Sequence, residues 1–278
     1  MLTREEIFAM QKENGMWGNF HTLSVPDKKH SLSSEQALRR LWVLGFGIDD
    51  SSIAKAVDFM SDCLEGKETM QDRREKTIDW DVFTELMLST WIRKFTRNNL
   101  NANKIAEKWA YITGASFKSG QYQREDAIKA YEVIYPEKPT GKKIAEFIYS
   151  FYHVSLLPGL MDKHLEDLYF DYLLQKCGGI YYIGYNESLA ELPKSFQSRQ
   201  SSKYISCIEL LVKYERQKHK LKFVAQWLKD NEMSDGCWDM GSAAKDGVYF
   251  PISANWKNKG NRIADCTYRI SRLLSELS

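Results

Sequence analysis

The sequence predicts an all-α fold: an (α/α) toroid of about six helical pairs, one domain over residues 1–278, closed by its own N- and C-terminal helices. Three observations point there. Only six Pro and sixteen Gly punctuate 278 residues, which disfavours a sandwich of many short strands. Apolar residues recur three or four positions apart in segment after segment. The chain also carries one turn near both ends: Gln11-x3-Gly15-x-Trp17 and Glu232-x3-Gly236-x-Trp238 share a spacing. The first copy begins on an outer-type helix and the second ends on an inner-type helix. Together they complete one pair if the termini meet, which an open solenoid would not require.

The elements follow in order. Residues 2–13 read as a short helix stopped at Asn14-Gly15. A polar loop with Val25-Pro26 spans 18–32. Ser33-x-x-Gln36 with Glu35 is a helix start, and Ala37, Leu38, Leu41, Trp42 and Leu44 make its stripe. Gly45 and Gly47 break it. Asp50-Ser51-Ser52 opens a helix with Ile53, Ala56, Val57, Met60 and Leu64 on one face. Residues 66–76 are a charged loop. A strong helix runs 79–94 with Phe83, Leu86, Met87, Thr90 and Trp91 on one side. Asn101 is the expected cap of a helix over 102–113, and a further helix covers 123–134, closed by Pro136 and Pro139. Residues 142–154 are apolar and aromatic, 161–176 form a helix ended by Cys177-Gly178-Gly179, and 180–202 read as an irregular insertion. Helices over 203–212 and 221–229 precede the second turn, and the last helix is expected to start near Asp265. With one gap, residues 37–44 align on 266–273, which places Arg40 on Arg269.

Composition sets bounds. A formal net charge of +2 gives no case for nucleic acid or an anionic membrane. No apolar run approaches the ~20 residues of a membrane span. The N-terminus lacks a signal-peptide h-region. Five scattered Cys without a CxxC pair fit free thiols in a reducing compartment, so a cytoplasmic location is expected. Aromatics make up 13% of the chain; they fill gaps between helices or line a pocket, and filling is the commoner use.

The repeated turn resembles that of the terpenoid cyclase and protein prenyltransferase group, the squalene-cyclase-like proteins with QW repeats. Trp227-Leu228-x3-Glu232-x3-Gly236-x-Trp238 matches their repeat except that Glu replaces Gln. Gln11-x3-Gly15-x-Trp17 matches its second half. Asp265-x-Thr267 with Arg269 resembles the start of an inner helix. The resemblance covers the first fifty and last sixty residues and implies a toroid of alternating inner and outer helices around a cavity. The physics of the turn stands apart from it: Gly lets the chain reverse, Gln11 can cap a helix end, and each Trp can stack and donate its single N–H. Gln11, Gly15, Trp17, Glu232, Gly236 and Trp238 are therefore structural clamps.

The catalytic motifs of that group are missing. The triterpene cyclases use Asp-x-Asp-Asp; Asp79-Trp80-Asp81 lacks the final Asp, and Asp49-Asp50 reads as a helix cap. On an inner helix Asp81 and Glu85 could do general acid–base work, against the commoner reading of an acidic helix start. Class I isoprenoid enzymes hold magnesium on paired aspartates. Glu166-Asp167-x3-Asp171, with Asp162 upstream, lacks the pair and reads as a solvated face. Asp265-Cys266 lacks the spacer of the prenyltransferase zinc segment, Asp235-x-Cys237 sits in the turn, and no His follows His219. No metal and no cofactor are expected, and Cys237 and Cys266 read as buried thiols. The other His are at 21, 30, 153 and 164. His153, among Tyr149, Phe151 and Tyr152, is the candidate pocket base, against the commoner hydrogen-bonded core His.

The function expected is that of a prenyltransferase- or cyclase-like toroid, binding or processing an apolar, isoprenoid-like ligand in a central aromatic cavity. Two alternatives remain open: a non-catalytic ligand- or protein-binding toroid, and an acid–base carbohydrate-active enzyme on an α/α ring. Candidate catalytic residues are Asp81, Glu85 and His153. Candidate cavity residues are Tyr149, Tyr152, Asp265, Arg269 and Arg40. The expected partner is a small apolar ligand, with no nucleic acid and no membrane span.

Overall fold

A computed structural model describes residues 4–21, 32–74, 78–137, 142–253 and 255–278. The predictions on Val25-Pro26, His30 and Pro139 lie outside the described residues, as do residues 22–31 of the 18–32 loop and 75–76 of the 66–76 loop. Among the described residues the protein is all-helical, with no strand. The helices are α1 (Arg4–Ala9), α2 (Ser34–Val43), α3 (Ser51–Leu64), α4 (Trp80–Phe95), α5 (Leu100–Ser116) and α6 (Arg124–Ile134). Then come α7 (Lys142–Ala145), α8 (Phe151–Leu156), α9 (Lys163–Gln175), α10 (Arg199–Leu211), α11 (Lys222–Asp230) and α12 (Lys259–Leu277).

Local chemistry sets the boundaries. Ser33 and Gln36 form the expected capping box of α2. Asp79 caps α4 through the Val82 amide, and Asp162 caps α9 through Leu165. Asn99 rather than Asn101 caps α5, its side chain accepting from the Ala102 amide at 2.8 Å, so the helix begins earlier than predicted. The last helix starts at Lys259, ahead of Asp265, because Asn258 accepts from the Gly260 amide at 2.7 Å. Residues 142–154 split into α7 and α8 around a turn. There the chain pairs with the insertion: the Tyr181 amide donates to Tyr149 and the Phe151 amide to Tyr181. That bridge accounts for the strand-like composition of 180–185.

α4 has the longest unbroken buried run among the described helices. Every residue from Leu86 to Arg93 is buried, so its apolar character extends all round rather than along one stripe. It packs against α3, α5 and α8, and α8 packs on α10. Five helices form a circuit. Trp91 of α4 donates to Glu35 of α2, Arg93 of α4 to Leu156 of α8, and Arg269 of α12 to Glu209 of α10. Arg272 of α12 returns to the carbonyls of Trp42 and Val43 at the end of α2. The contacts climb in step: Thr90 meets Tyr152 and Arg93 meets Leu156, while Ser206 meets Arg269 and Lys213 meets Glu276. α4 and α8 therefore run in the same sense, as do α10 and α12.

The two turns have one geometry. Lys12 N–H donates to Met16 and Gly15 to Lys12; Met233 donates to Cys237 and Gly236 to Met233. The Trp17 amide donates to Ser34 Oγ at 3.0 Å and the Trp238 amide to Thr267 Oγ1 at 3.0 Å. These bonds put Ser34 where Thr267 stands, four residues beyond the register of the sequence alignment. Arg40 thus corresponds to Leu273 rather than to Arg269. The longer segment before α12 absorbs the difference.

Candidate functional site

The candidate residues divide into a dispersed set and a convergent set. Asp81 is exposed, pairing with Arg74 at 2.6 Å. Glu85 is half-buried, close enough to Tyr131 and Tyr135 to help burial raise their phenols. Tyr149 is half-buried, with the Lys176 ammonium 3.8 Å from its ring centre. His153 is buried against Trp109, ring centres 4.6 Å apart, and its Nδ1 meets Ser150 Oγ at 2.8 Å. Burial drops its pKa to about 3, which makes it a neutral core residue rather than a base poised near neutrality. These four do not meet at one point. The acidic run of α9 is tied by a cation instead: Lys220 reaches Asp167 at 2.7 Å and Asp171 at 2.5 Å. No group of side chains suited to a metal occurs among the described residues. Cys266 is buried, and burial raises its thiol to about 11; Cys237 is half-buried, and both are free thiols.

Tyr152, Arg40, Asp265 and Arg269 take part in buried polar contacts among α2, α4, α8, α10 and α12. Glu35, fully buried, accepts from Tyr152 Oη at 2.9 Å and Trp91 Nε1 at 3.1 Å, and faces Arg39 at 3.7 Å. Burial and then the Glu35 charge push the Tyr152 phenol well above its usual range. Arg39 donates to Tyr249 Oη at 3.3 Å and lies over Phe151. Burial works against its charge, but Tyr249 and Glu35 outweigh it. Arg269 holds Glu209 with two donors, at 2.8 and 2.9 Å, and Ser206 at 2.6 Å. Asp265 Oδ2 accepts from Ile252, Ser253 and Trp256.

A second feature lies at the C-terminal ends of α2, α4, α8 and α10. A cleft of about 290 Å³ is lined there by Trp42, Arg93, Lys94, Phe95, Arg97 and Lys213, together with Thr96, Ser155, Pro158 and Leu210. Four cations line it and no carboxylate does. A wider cleft of about 530 Å³ adjoins it, sharing Arg93, Arg97, Pro158 and Lys213 and adding Arg216 with Glu107, Glu166 and Glu215. Arg93 and Arg97 donate to the carbonyls of Leu156 and Pro158, as cations near helix ends commonly do. Lys94 differs. Its ammonium sits 3.8 Å from the centre of the Trp42 ring, and among the described residues no carboxylate pairs with it. Burial, then Lys213, Arg39 and Arg272, lower its pKa to about 7, with the Glu209 charge opposing them in part.

Sequence reasoning missed this cleft, as well as Glu35 and Arg39. The signals were present: Arg93-Lys94-Phe95-Thr96-Arg97 closes an otherwise apolar helix, and Glu35 and Arg39 stand four apart on a helix whose neighbours are apolar. Comparison with known protein families, curated proteins and solved structures returned no match.

Proposed function

We propose that the helix circuit is a closed ring of inner and outer helices, of the kind the terpenoid cyclases and protein prenyltransferases build, and that it binds an apolar, isoprenoid-like ligand carrying an anionic head. The observation that carries the ligand reading is the lining of the smaller cleft: four cations, Trp42 and Phe95, and no carboxylate. Helix dipoles explain cations at these ends in general. They do not explain an ammonium held half-buried with no carboxylate bonded to it, the Glu209 charge acting only through space, a cost in free energy that a bound anion would recover. Trp42 and Phe95 offer hydrocarbon contact beside the charges. The two matching Trp turns and the return of α12 to α2 support the ring.

Thermal unfolding with an isoprenoid diphosphate and with a neutral oligosaccharide tests this reading. A rise in Tm with the diphosphate alone agrees with it; no shift with the diphosphate rejects it. The acid–base reading keeps one observation, the Tyr152–Glu35 hydrogen bond at 2.9 Å. Stabilisation by the oligosaccharide alone would favour that reading.

A further inference from the structure

Residues 246–253 lie between α2, α10 and α12 as a folded plug. Asp246 Oδ1 accepts the amides of Val248, Tyr249 and Phe250 at 2.7, 2.8 and 3.2 Å, and Oδ2 accepts from Ser202 of α10. At the other end Asp265 of α12 holds the amides of Ile252 and Ser253. Between these anchors the segment presents neutral oxygens to two neighbouring arginines of α2. Arg40 donates to the Pro251 carbonyl at 2.7 Å and to the Ile252 carbonyl. Arg39 donates to the Tyr249 hydroxyl at 3.3 Å. The side chains are almost fully enclosed, Arg39 8% and Arg40 5% exposed.

Their hydrogen bonding is incomplete. The Nε of Arg39 and the Nε of Arg40 are buried and find no acceptor among the described residues. Glu35 faces Arg39 at 3.7 Å, and Asp265 and Asp246 act on Arg40 only through space. Arg269, by contrast, is satisfied by Glu209 and is not counted in the site. A guanidinium has five donors in a planar fork suited to an oxoanion, and bonds to a charged acceptor are roughly twice as strong as bonds to a carbonyl or phenol. Neutral loop oxygens therefore stand where stronger acceptors would bind.

We infer that Arg39 and Arg40 form a binding site for an oxoanion of the phosphate or carboxylate class, which residues 246–253 occupy from within and vacate when the anion binds. The site lies on other residues than the Lys94 cleft and does not depend on it.

Hydrogen exchange of the full chain, with and without inorganic pyrophosphate and, separately, succinate, tests the inference. The amides of Val248, Tyr249, Phe250, Ile252 and Ser253 are expected to exchange about ten-fold faster with at least one anion, because their bonds to Asp246 and Asp265 open. A response to pyrophosphate alone assigns the phosphate class, and one to succinate alone the carboxylate class. Arg40→Gln should abolish the response. Tyr249→Phe removes one bond that holds the plug, and should lower the half-effective anion concentration about three- to ten-fold. Unchanged or slower exchange with both anions overturns the inference, as does a higher half-effective concentration in Tyr249→Phe. In Lys94→Met the loop response should persist; its loss there would place the anion in the cleft and overturn the plug, leaving the cleft reading intact.

Discussion

Trp17 and Trp238 make the same hydrogen bond from opposite ends of the chain. Each indole N–H donates to a carbonyl ten residues upstream, Trp17 to Ile7 at 2.7 Å and Trp238 to Leu228 at 2.7 Å. Each backbone amide then caps onto a hydroxyl of the next helix, Ser34 or Thr267. One device therefore fixes the helix-to-helix turn at both ends. Trp17→Phe and Trp238→Phe should each cost about 1–3 kcal/mol, from the lost indole bond and the smaller buried ring, while each carbonyl keeps one backbone donor, Met10 or Asn231. Urea unfolding measures this; a loss under about 0.5 kcal/mol for both would remove the indole bond from the account.

The two glycines of these turns should differ. Gly15 has φ +86°, and a Cβ there would lie 2.6 Å from the Lys55 carbonyl oxygen. Gly236 has φ +78°, but a Cβ would meet only the Glu232 side chain at 3.7 Å. Gly236→Ala should cost about 1–2 kcal/mol, for the backbone alone. Gly15→Ala should cost about 1–3 kcal/mol more, because α3 must move away. Equal losses in urea unfolding would contradict the close packing of the first turn on α3.

Gln11 and Glu232 separate in the same way. Gln11 Nε2 donates to the carbonyls of Gly15 and Ser52, both at 2.8 Å, and so ties the first turn to α3. Glu232 is exposed and has no N–H to donate. Gln11→Glu should cost about 1–3 kcal/mol, while Glu232→Gln should stay within about 0.5 kcal/mol. The same unfolding measurement, applied to both variants, checks the contrast.

His153 predicts an acid limb of stability. Its folded pKa of about 3 lies below the 6.5 of an unperturbed His, so the unfolded chain binds the extra proton first. The stability this neutral His confers is complete above about pH 6.5 and falls as pH drops from there towards 3. Lys94 acts at the other end. Its folded pKa of about 7 is below the ordinary 10.5, so stability should rise with pH between about 7 and 10.5. His153→Gln should flatten the acid limb and Lys94→Met the alkaline rise. Retention of either slope in its variant would show that the group named is not its source.

The helical fold was legible because it rests on local signals: the Ser33–Gln36 box, the Asp79 and Asp162 caps, and the glycine-Trp turns act within a few residues. The register of α12 was not, since a long segment precedes it and nothing local fixes how Thr267 meets Trp238. The candidate site was half legible. Tyr152, Arg40, Asp265 and Arg269 share buried polar contacts. Asp81, Glu85, Tyr149 and His153 do not join them: Asp81 lies in the exposed first turn of α4, and His153 turns toward Trp109. Glu35 read as an ordinary acidic first-turn residue because its partners, Trp91 and Tyr152, are 56 and 117 positions away. Long-range pairing of that kind leaves no periodic trace.

The direct test of the central claim is a fluorescence titration of the wild-type chain and of Lys94→Met with an isoprenoid diphosphate, with the corresponding alcohol and inorganic pyrophosphate as controls. The account predicts that the diphosphate binds about ten-fold or more tightly than either control, because head and hydrocarbon are both held. Lys94→Met should weaken the diphosphate about ten-fold, leave the alcohol unchanged, and abolish the proton uptake that accompanies diphosphate binding near pH 8. Equal affinity of the diphosphate for wild type and Lys94→Met, or no binding by the wild type, would contradict it.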